Sequence, residues 1–465
     1  MTLTIAASTN ETEHPKRAFC THTPKWQRFQ PTLIIPSEKA ANSVAKTGTE
    51  VYAYHRQYSH VYDQRLKMLK PRCWKALETA VMSPTTTTKV TRINRILELR
   101  EEVRSMVVGT IVKEAADPQE EPLNKNSKCR PSDQLFLEDD SGRVALNAPN
   151  DVHQYCTGVV VGAVGKVDNK GTLQVETMVS PSPVPPPKLS GSLGTSEPAP
   201  HLLLISALKC GDPNVSSLPR DMLLSYLQGH FDNNDDNDNN NQGAGLAAHK
   251  VCRVLICGGG PSSVNPLAGI HELDAWGLAL TKAGIPVDIL PAKNDPTTAN
   301  WPQRPFHSSL FPHASQTNLW NRTPNPYAAG HGTRLVVGTD GENIVDLKQS
   351  ILMNNNDDDN ADDDDNNKKE IPTDLQALRQ TLEWAHMCPT GPDSVPTVPH
   401  ADMDPMVLDQ TPHVYFCGSS HFATDVQETT NTRLICVPPF AETGEAVLVN
   451  LETCHVEVLR FEEEK

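Results

Sequence analysis

The 465-residue sequence has no Cys-x-x-Cys pair. Its 11 cysteines are scattered singly from Cys20 to Cys454, and the nearest two, Cys252 and Cys257, fall in an apolar strand pattern. A zinc ribbon or iron–sulfur cluster held by this chain alone is therefore not expected, and neither a metal nor a cofactor is assigned. Long apolar runs are missing too. The longest, His201–Leu208, is far short of the ~20 residues that span a bilayer. Met1–His14 shows no basic stretch followed by an apolar one, so the expectation is a soluble intracellular protein with buried, reduced thiols rather than a disulfide framework. Neither a dinucleotide fingerprint nor a Walker loop occurs, and Gly258-Gly259-Gly260 by itself reads as a tight turn. Without a Gly-x-Ser-x-Gly elbow, no hydrolase triad can be read either.

Proline, by contrast, is abundant: 38 residues, where ordinary usage gives roughly 23. Long uninterrupted helices and helical repeats are thereby disfavoured. Acidic charge is concentrated as well. Two Asn/Asp runs, 232–241 and 354–367, carry 11 of the aspartates behind the net charge of −16, leaving an ordinary −5 elsewhere. Such runs bury nothing and repel themselves, so solvated loop insertions are expected. Neither has the Gly turn and terminal Glu of an EF-hand loop. With 37% hydrophobic residues, the rest can build a core.

Patterning divides the chain. Residues 1–49 are polar and aperiodic, predicting a flexible N-terminal segment. In residues 50–105 two helices are expected. Val51, Tyr54, Tyr58, Val61, Tyr62, Leu66 and Leu69 form one stripe, and Val90, Ile93, Ile96, Leu97 and Val103 form a second. Residues 106–180 switch to five short strands with glycines where a small barrel must bend, the pattern of an OB-fold. A Pro-rich linker follows over 181–200. From 201 to 465, strands and helices alternate and then end in a strand-rich tail, predicting an α/β sandwich. His201–Ile205, Val251–Cys257 and Val287–Leu290 are strands. Ser217–Phe231, Leu267–Ala283 and Thr373–Met387 are helices, and Val414–Cys417, Arg433–Val437, Ala446–Leu451 and Val456–Leu459 close the set.

Ligands of such folds collect at strand C-terminal ends. Those ends here carry Ala207-Leu208-Lys209, Gly258-Gly259-Gly260, Lys293-Asn294-Asp295 and Gly418-Ser419-Ser420-His421. In order and spacing they resemble the calcineurin-like metallophosphoesterase motifs Asp-x-His, Gly-Asp, Gly-Asn-His-Asp and Gly-His-x-His, whose side chains hold two metals in active members. Against that pattern, Ala207 and Lys209 occupy the first pair's positions and Gly259 that of the bridging Asp. Lys293 and Asn294 replace Asn-His, and Ser419 replaces a His. Asp295, His386 and His421 alone retain ligand chemistry. The resemblance implies a vestigial site and an inactive enzyme fold.

Further segments appear in order: Gln57–Leu66, Leu137–Val144, Trp301–His307, Thr323-Pro324-Asn325-Pro326, Gly338–Asn343, Pro389–Asp393 and Pro412–Gly418. With the order helices, OB-fold, inactive phosphoesterase, they resemble the B-subunit family of replicative DNA polymerases, and in particular its delta branch. That resemblance implies a non-catalytic nuclear scaffold for DNA replication and repair. It would bind the cysteine-rich C-terminal module of the delta catalytic chain and a third accessory subunit, and so connect indirectly to the sliding clamp. A degenerate phosphoesterase or nuclease, or the B-subunit of another replicative polymerase, is the alternative. Between Val107 and Pro181 only Phe136 and Tyr155 are aromatic, and 7 Lys/Arg face 11 Asp/Glu. A single-strand-binding groove needs positive charge and stacking rings, so the barrel is expected to face protein, with at most weak direct DNA binding.

Overall fold

The computed structural model describes residues 4–5, 58–81, 90–148, 152–189, 199–230, 248, 250–354, 369–400 and 403–462. Most of the N-terminal segment, nearly all of both Asn/Asp runs and part of the Pro-rich linker lie outside the described residues. The chain divides into two compact units. One comprises Pro36–Pro185 and Asn343–Thr411; the other comprises Met1–Ile35, Pro186–Glu342 and Pro412–Lys465. Residues 343–411, placed by sequence with the C-terminal sandwich, therefore group with the barrel.

The first unit is a closed five-stranded barrel with a helix against it. Helix α1 (Ser59–Val81) buries Val61, Arg65, Leu69, Cys73, Trp74 and Leu77, a face repeating every three to four residues. Strands β1 (Ser105–Ala115), β2 (Asp133–Asp139), β3 (Gly142–Asn147), β4 (Val160–Val167) and β5 (Thr172–Val179) follow. They pair in the order β1-β2-β3-β5-β4, and β1 pairs again with β4 to close the barrel. All five expected strands are present. Two glycines show why. A Cβ on Gly165 would lie 2.2 Å from the Gln174 carbonyl, beside the register shift at Val164/Gly165, and one on Gly162 would lie 2.7 Å from Leu77 of α1. The barrel bends at the first and the helix seats at the second.

The second expected helix, over Val90–Val103, does not form. Thr91–Arg92 instead pairs in parallel with Ser105–Met106, and the Ile96 N–H donates to the Asp139 carboxylate at 3.0 Å. Sheet edge and side chain thus take the hydrogen bonds a helix would need, and Leu97 of the predicted stripe is 75% exposed. Residues 50–105 accordingly supply one α-helix among the described residues, with only a 3-10 turn at Ile96–Glu98 beyond it. The start of the Pro-rich linker is tied to that helix, for Arg72 Nε donates to the Ser182 carbonyl at 2.8 Å.

The second unit contains two mixed sheets. One orders Thr4–Ile5, β16 (Val456–Arg460), β15 (Glu445–Asn450), β6 (His201–Ile205), β7 (Val251–Cys257), β8 (Val287–Leu290) and β9 (Trp320–Arg322). The other orders β10 (Tyr327–His331), β11 (Arg334–Thr339), β12 (Val414–Gly418), β14 (Thr432–Val437) and β13 (Ala423–Gln427). Alternate residues of β6 serve two cores. Leu203 and Ile205 join Trp276 and Leu280 of helix α3 (Pro266–Lys282) and Leu223 of α2 (Leu218–Leu227), while Leu202 and Leu204 meet Val336, Phe416 and Ile435 of the other sheet. A strand buried on both faces reads as a continuous apolar run, as His201–Leu208 does. Between β11 and β12 the chain leaves for the barrel unit through α4 (Glu342–Ser350) and α5 (Asp374–Glu383). Helix α5 starts at a reciprocal capping box between Thr373 and Gln376 and stops at Glu383, four residues before the expected end, ahead of the left-handed Ala385 at φ +56°.

Candidate functional site

At the C-terminal ends of β6, β7 and β8 the loops interlock through backbone. Ala207 N–H donates to the Gly258 carbonyl at 2.9 Å and Lys209 N–H to the Gly259 carbonyl at 3.1 Å. Ala207 and Lys209 both sit at φ +49°, the left-handed region non-glycine residues avoid. Gly259, at φ +65°, faces Ala207 so closely that an added Cβ would lie 3.1 Å from the Ala207 Cα. A side chain at this position would need both the left-handed backbone and a shift of Ala207.

Asp295 is buried here and spends one carboxylate oxygen on two backbone donors, Ala292 N–H at 2.7 Å and Gly259 N–H at 3.2 Å. Desolvation outweighs those hydrogen bonds and pushes its pKa up to about 7, with Asp340 adding like-charge repulsion. Asp340 is raised to about 6, again chiefly by burial, although the Asn325 amide donates to it at 2.8 Å and Lys293 N–H at 3.2 Å. Both lysine ammonium groups turn to partly exposed ion pairs: Lys209 with Glu442 at 2.5 Å and Lys293 with Glu342 at 3.0 Å. Glu342 also accepts from the Trp301 indole at 2.9 Å.

The structure thus gathers Ala207, Lys209, Gly259, Lys293 and Asp295 in adjoining loops. Asn294 is exposed, Ser419 N–H donates to the Val437 carbonyl, and His421 is exposed with its Nδ1 3.0 Å from Ser420 Oγ. His386 belongs to the barrel unit. Its Nε2 lies 2.9 Å from Asp404 Oδ2, and burial with the neighbouring Arg65 charge lowers its pKa to about 4 despite Asp404. None of these loops supplies a cluster of three His, Cys, Asp or Glu donor atoms among the described residues.

Sequence reasoning missed the polar centre around His386. Arg65, on the buried face of α1, is 1% exposed. Its Nε donates to Asp404 at 2.8 Å, Nη1 to the Gly158 and Pro389 carbonyls at 2.9 and 2.8 Å, and Nη2 to the Gly391 carbonyl at 2.7 Å. Burial opposes the Asp404 carboxylate, but His386 and Arg65 together hold its pKa well below the usual range. The only available signal was Arg65 falling on an apolar stripe. A second missed group is Cys129, Asp133 and His153, whose donor atoms all lie within 4.8 Å of one another.

The barrel's two aromatics are both engaged. Arg143 covers the Phe136 ring at 5.2 Å, and Tyr155 stacks on Trp384 at 6.3 Å between centroids. Neither is a free platform for a base.

Comparison with known proteins reaches both units. Residues 57–178 match the DNA polymerase delta subunit OB-fold domain, and residues 269–425 match the B-subunits of DNA polymerases alpha and epsilon. The DNA polymerase delta small subunit of Oryza sativa subsp. japonica is 30% identical over 437 residues, 87% of this chain and 93% of the relative. The chain belongs to the DNA polymerase delta small-subunit family. DNA polymerase delta subunit 2 of Drosophila melanogaster is 29% identical over 88% of this chain and 94% of its own length, and the Saccharomyces cerevisiae small subunit is 29% identical over 88% and 90%. Membership of this family spans both units, so barrel and two-sheet sandwich are inherited together. No helix among the described residues is long and apolar enough to cross a membrane.

Proposed function

We propose that the chain is the non-catalytic accessory subunit of a nuclear DNA polymerase delta, acting in replication and repair. It scaffolds the cysteine-rich C-terminal module of the catalytic chain and a further accessory subunit, and through them reaches the sliding clamp. The observation that carries this reading is 30% identity to a delta small subunit over 93% of that relative's length. The two-sheet unit is, in this reading, a calcineurin-like phosphoesterase fold that has lost its chemistry. A two-metal mechanism needs side chains on both ions, whereas Ala207 and Gly259 offer none and Asp295 is held by backbone N–H groups. The barrel faces protein, in keeping with its acidic balance and its engaged aromatics.

The test is purification of the native protein under mild salt. A stoichiometric large polymerase chain should accompany it, through an interface on the order of 2,000 Å² or more; recovery without such a chain would overturn the assignment. The same material, assayed with a bis-nitrophenyl phosphate ester and excess manganese, should show no turnover that disappears in an Asp295→Ala, His421→Ala double variant.

A further inference from the structure

We propose that Cys129, Asp133 and His153 form a zinc site in the barrel unit. Cys129 comes from the β1–β2 connection, Asp133 opens β2, and His153 lies between β3 and β4. Cys129 and His153 are buried and Asp133 is half-buried, but all three donor groups are nearly covered: Cys129 is 0% exposed, and the Asp133 and His153 side chains are 5% and 4% exposed. Spacings of four and twenty residues match no zinc-finger pattern, which is why sequence alone did not show the group.

His153 Nδ1 and Asp133 Oδ2 are 3.5 Å apart. That distance matches the separation of about 3.3–3.6 Å between two donors on one tetrahedral zinc with ordinary bond lengths. The remaining donor-to-donor distances all lie within 4.8 Å. Thiolate, imidazole and carboxylate together favour zinc over calcium or magnesium, which prefer oxygen alone.

The surroundings suit a metal-bound thiolate. Lys113 Nζ lies 3.3 Å from Cys129 Sγ and donates to the Ser350 carbonyl at 2.6 Å. An ammonium in that position hydrogen-bonds a coordinated sulfur from outside the ligand shell, the arrangement that fixes ligands around metals. Two ligand charges balance the ion, and the Lys113 charge sits at the carbonyl end of α4, where the helix dipole favours it. Binding releases the Cys129 proton to solvent. Its consequence is mechanical. The β1–β2 connection already meets the end of α4, with Lys128 N–H donating to the Gln349 carbonyl at 2.6 Å. Zinc would lock that connection to the β3–β4 connection, close to where the second Asn/Asp-rich run leaves the chain.

The experiment uses the untagged full-length protein, purified without chelator, with zinc measured by mass spectrometry and then exchanged for cobalt. Near-stoichiometric zinc is expected, with a thiolate-to-cobalt charge-transfer band. Cys129→Ala should abolish the band, and chelation should lower the melting temperature by several degrees, reversed by added zinc. His153→Cys supplies a second thiolate, so it should keep the metal and strengthen the band, which guards against a Cys129→Ala chain that misfolds. Clearly substoichiometric zinc with no charge-transfer band in the parent protein would overturn the proposal. So would a band that survives in a folded Cys129→Ala chain.

Discussion

At the scale of single residues, the decisive positions are buried charges. Arg65 uses every nitrogen of its guanidinium, satisfying one carboxylate and three carbonyls in the barrel unit. Removing one partner of such a pair strands the other, which costs about 3–5 kcal/mol. Arg65→Met should therefore lower the denaturant midpoint by a corresponding amount, and Arg65→Lys should recover little, because a point ammonium cannot reproduce the planar fork. Loss below about 1 kcal/mol in urea melts, the scale of an ordinary surface change, would show that Asp404 finds another partner. Asp295 behaves in the opposite sense. Its folded pKa of about 7 lies above the ordinary 3.8, so the unfolded chain loses this proton first and stability falls as pH rises from about 4 to about 7. Asp295→Asn keeps an acceptor for Ala292 and Gly259 without the charge. We expect it to match the parent near pH 4.5 and exceed it near pH 8, other groups cancelling in the comparison. A variant weaker than its parent at pH 8 would mean that the ionised carboxylate is stabilising.

At the scale of elements, the barrel strands and most strands of the two-sheet unit were legible, whereas β9, β10, β11, β13 and α4 were not anticipated and one expected helix does not form. The five barrel strands alternate or run apolar over a few residues, and β6, β7 and β8 begin and end where their patterns do. The stripe over Val90–Val103 failed because periodicity records which residues are apolar, whereas pairing of Thr91–Arg92 with β1 decides where the backbone hydrogen bonds go. The second Asn/Asp-rich run offers a test at this scale. Its flanks already meet, with Met353 opposite Glu370 and Asn354 opposite Lys369 in an antiparallel pair. Loop-closure entropy changes slowly with length, so replacing residues 355–368 by a short Asn-Gly turn should shift stability by less than about 0.5 kcal/mol. A loss of several kcal/mol in a denaturant melt would show that the run is structural.

At the scale of the whole molecule, both units are discontinuous in sequence. The barrel unit borrows Asn343–Thr411, and the two-sheet unit resumes at Pro412 to place β12 beside β11. Residues 50–185 alone would carry Arg65 without Asp404, Lys113 without the Ser350 carbonyl and Tyr155 without Trp384. That fragment should be insoluble or lack a cooperative melt, while the full chain unfolds cooperatively. A fragment melting as sharply as the intact protein would refute the division. Contacts this distant in sequence also predict slow refolding.

By itself the sequence determined the classes of element, the OB-fold barrel and the alternation of strands and helices after residue 200. Each depends on residue type or on a period of a few residues, which local order carries. Tertiary structure decided the rest. It alone joined Arg65 to Asp404 across 339 positions, set His386 against Asp404 within the barrel unit, and brought Cys129, Asp133 and His153 together. Desolvation and donor geometry arise only when distant segments pack, and no local period encodes which segments those are.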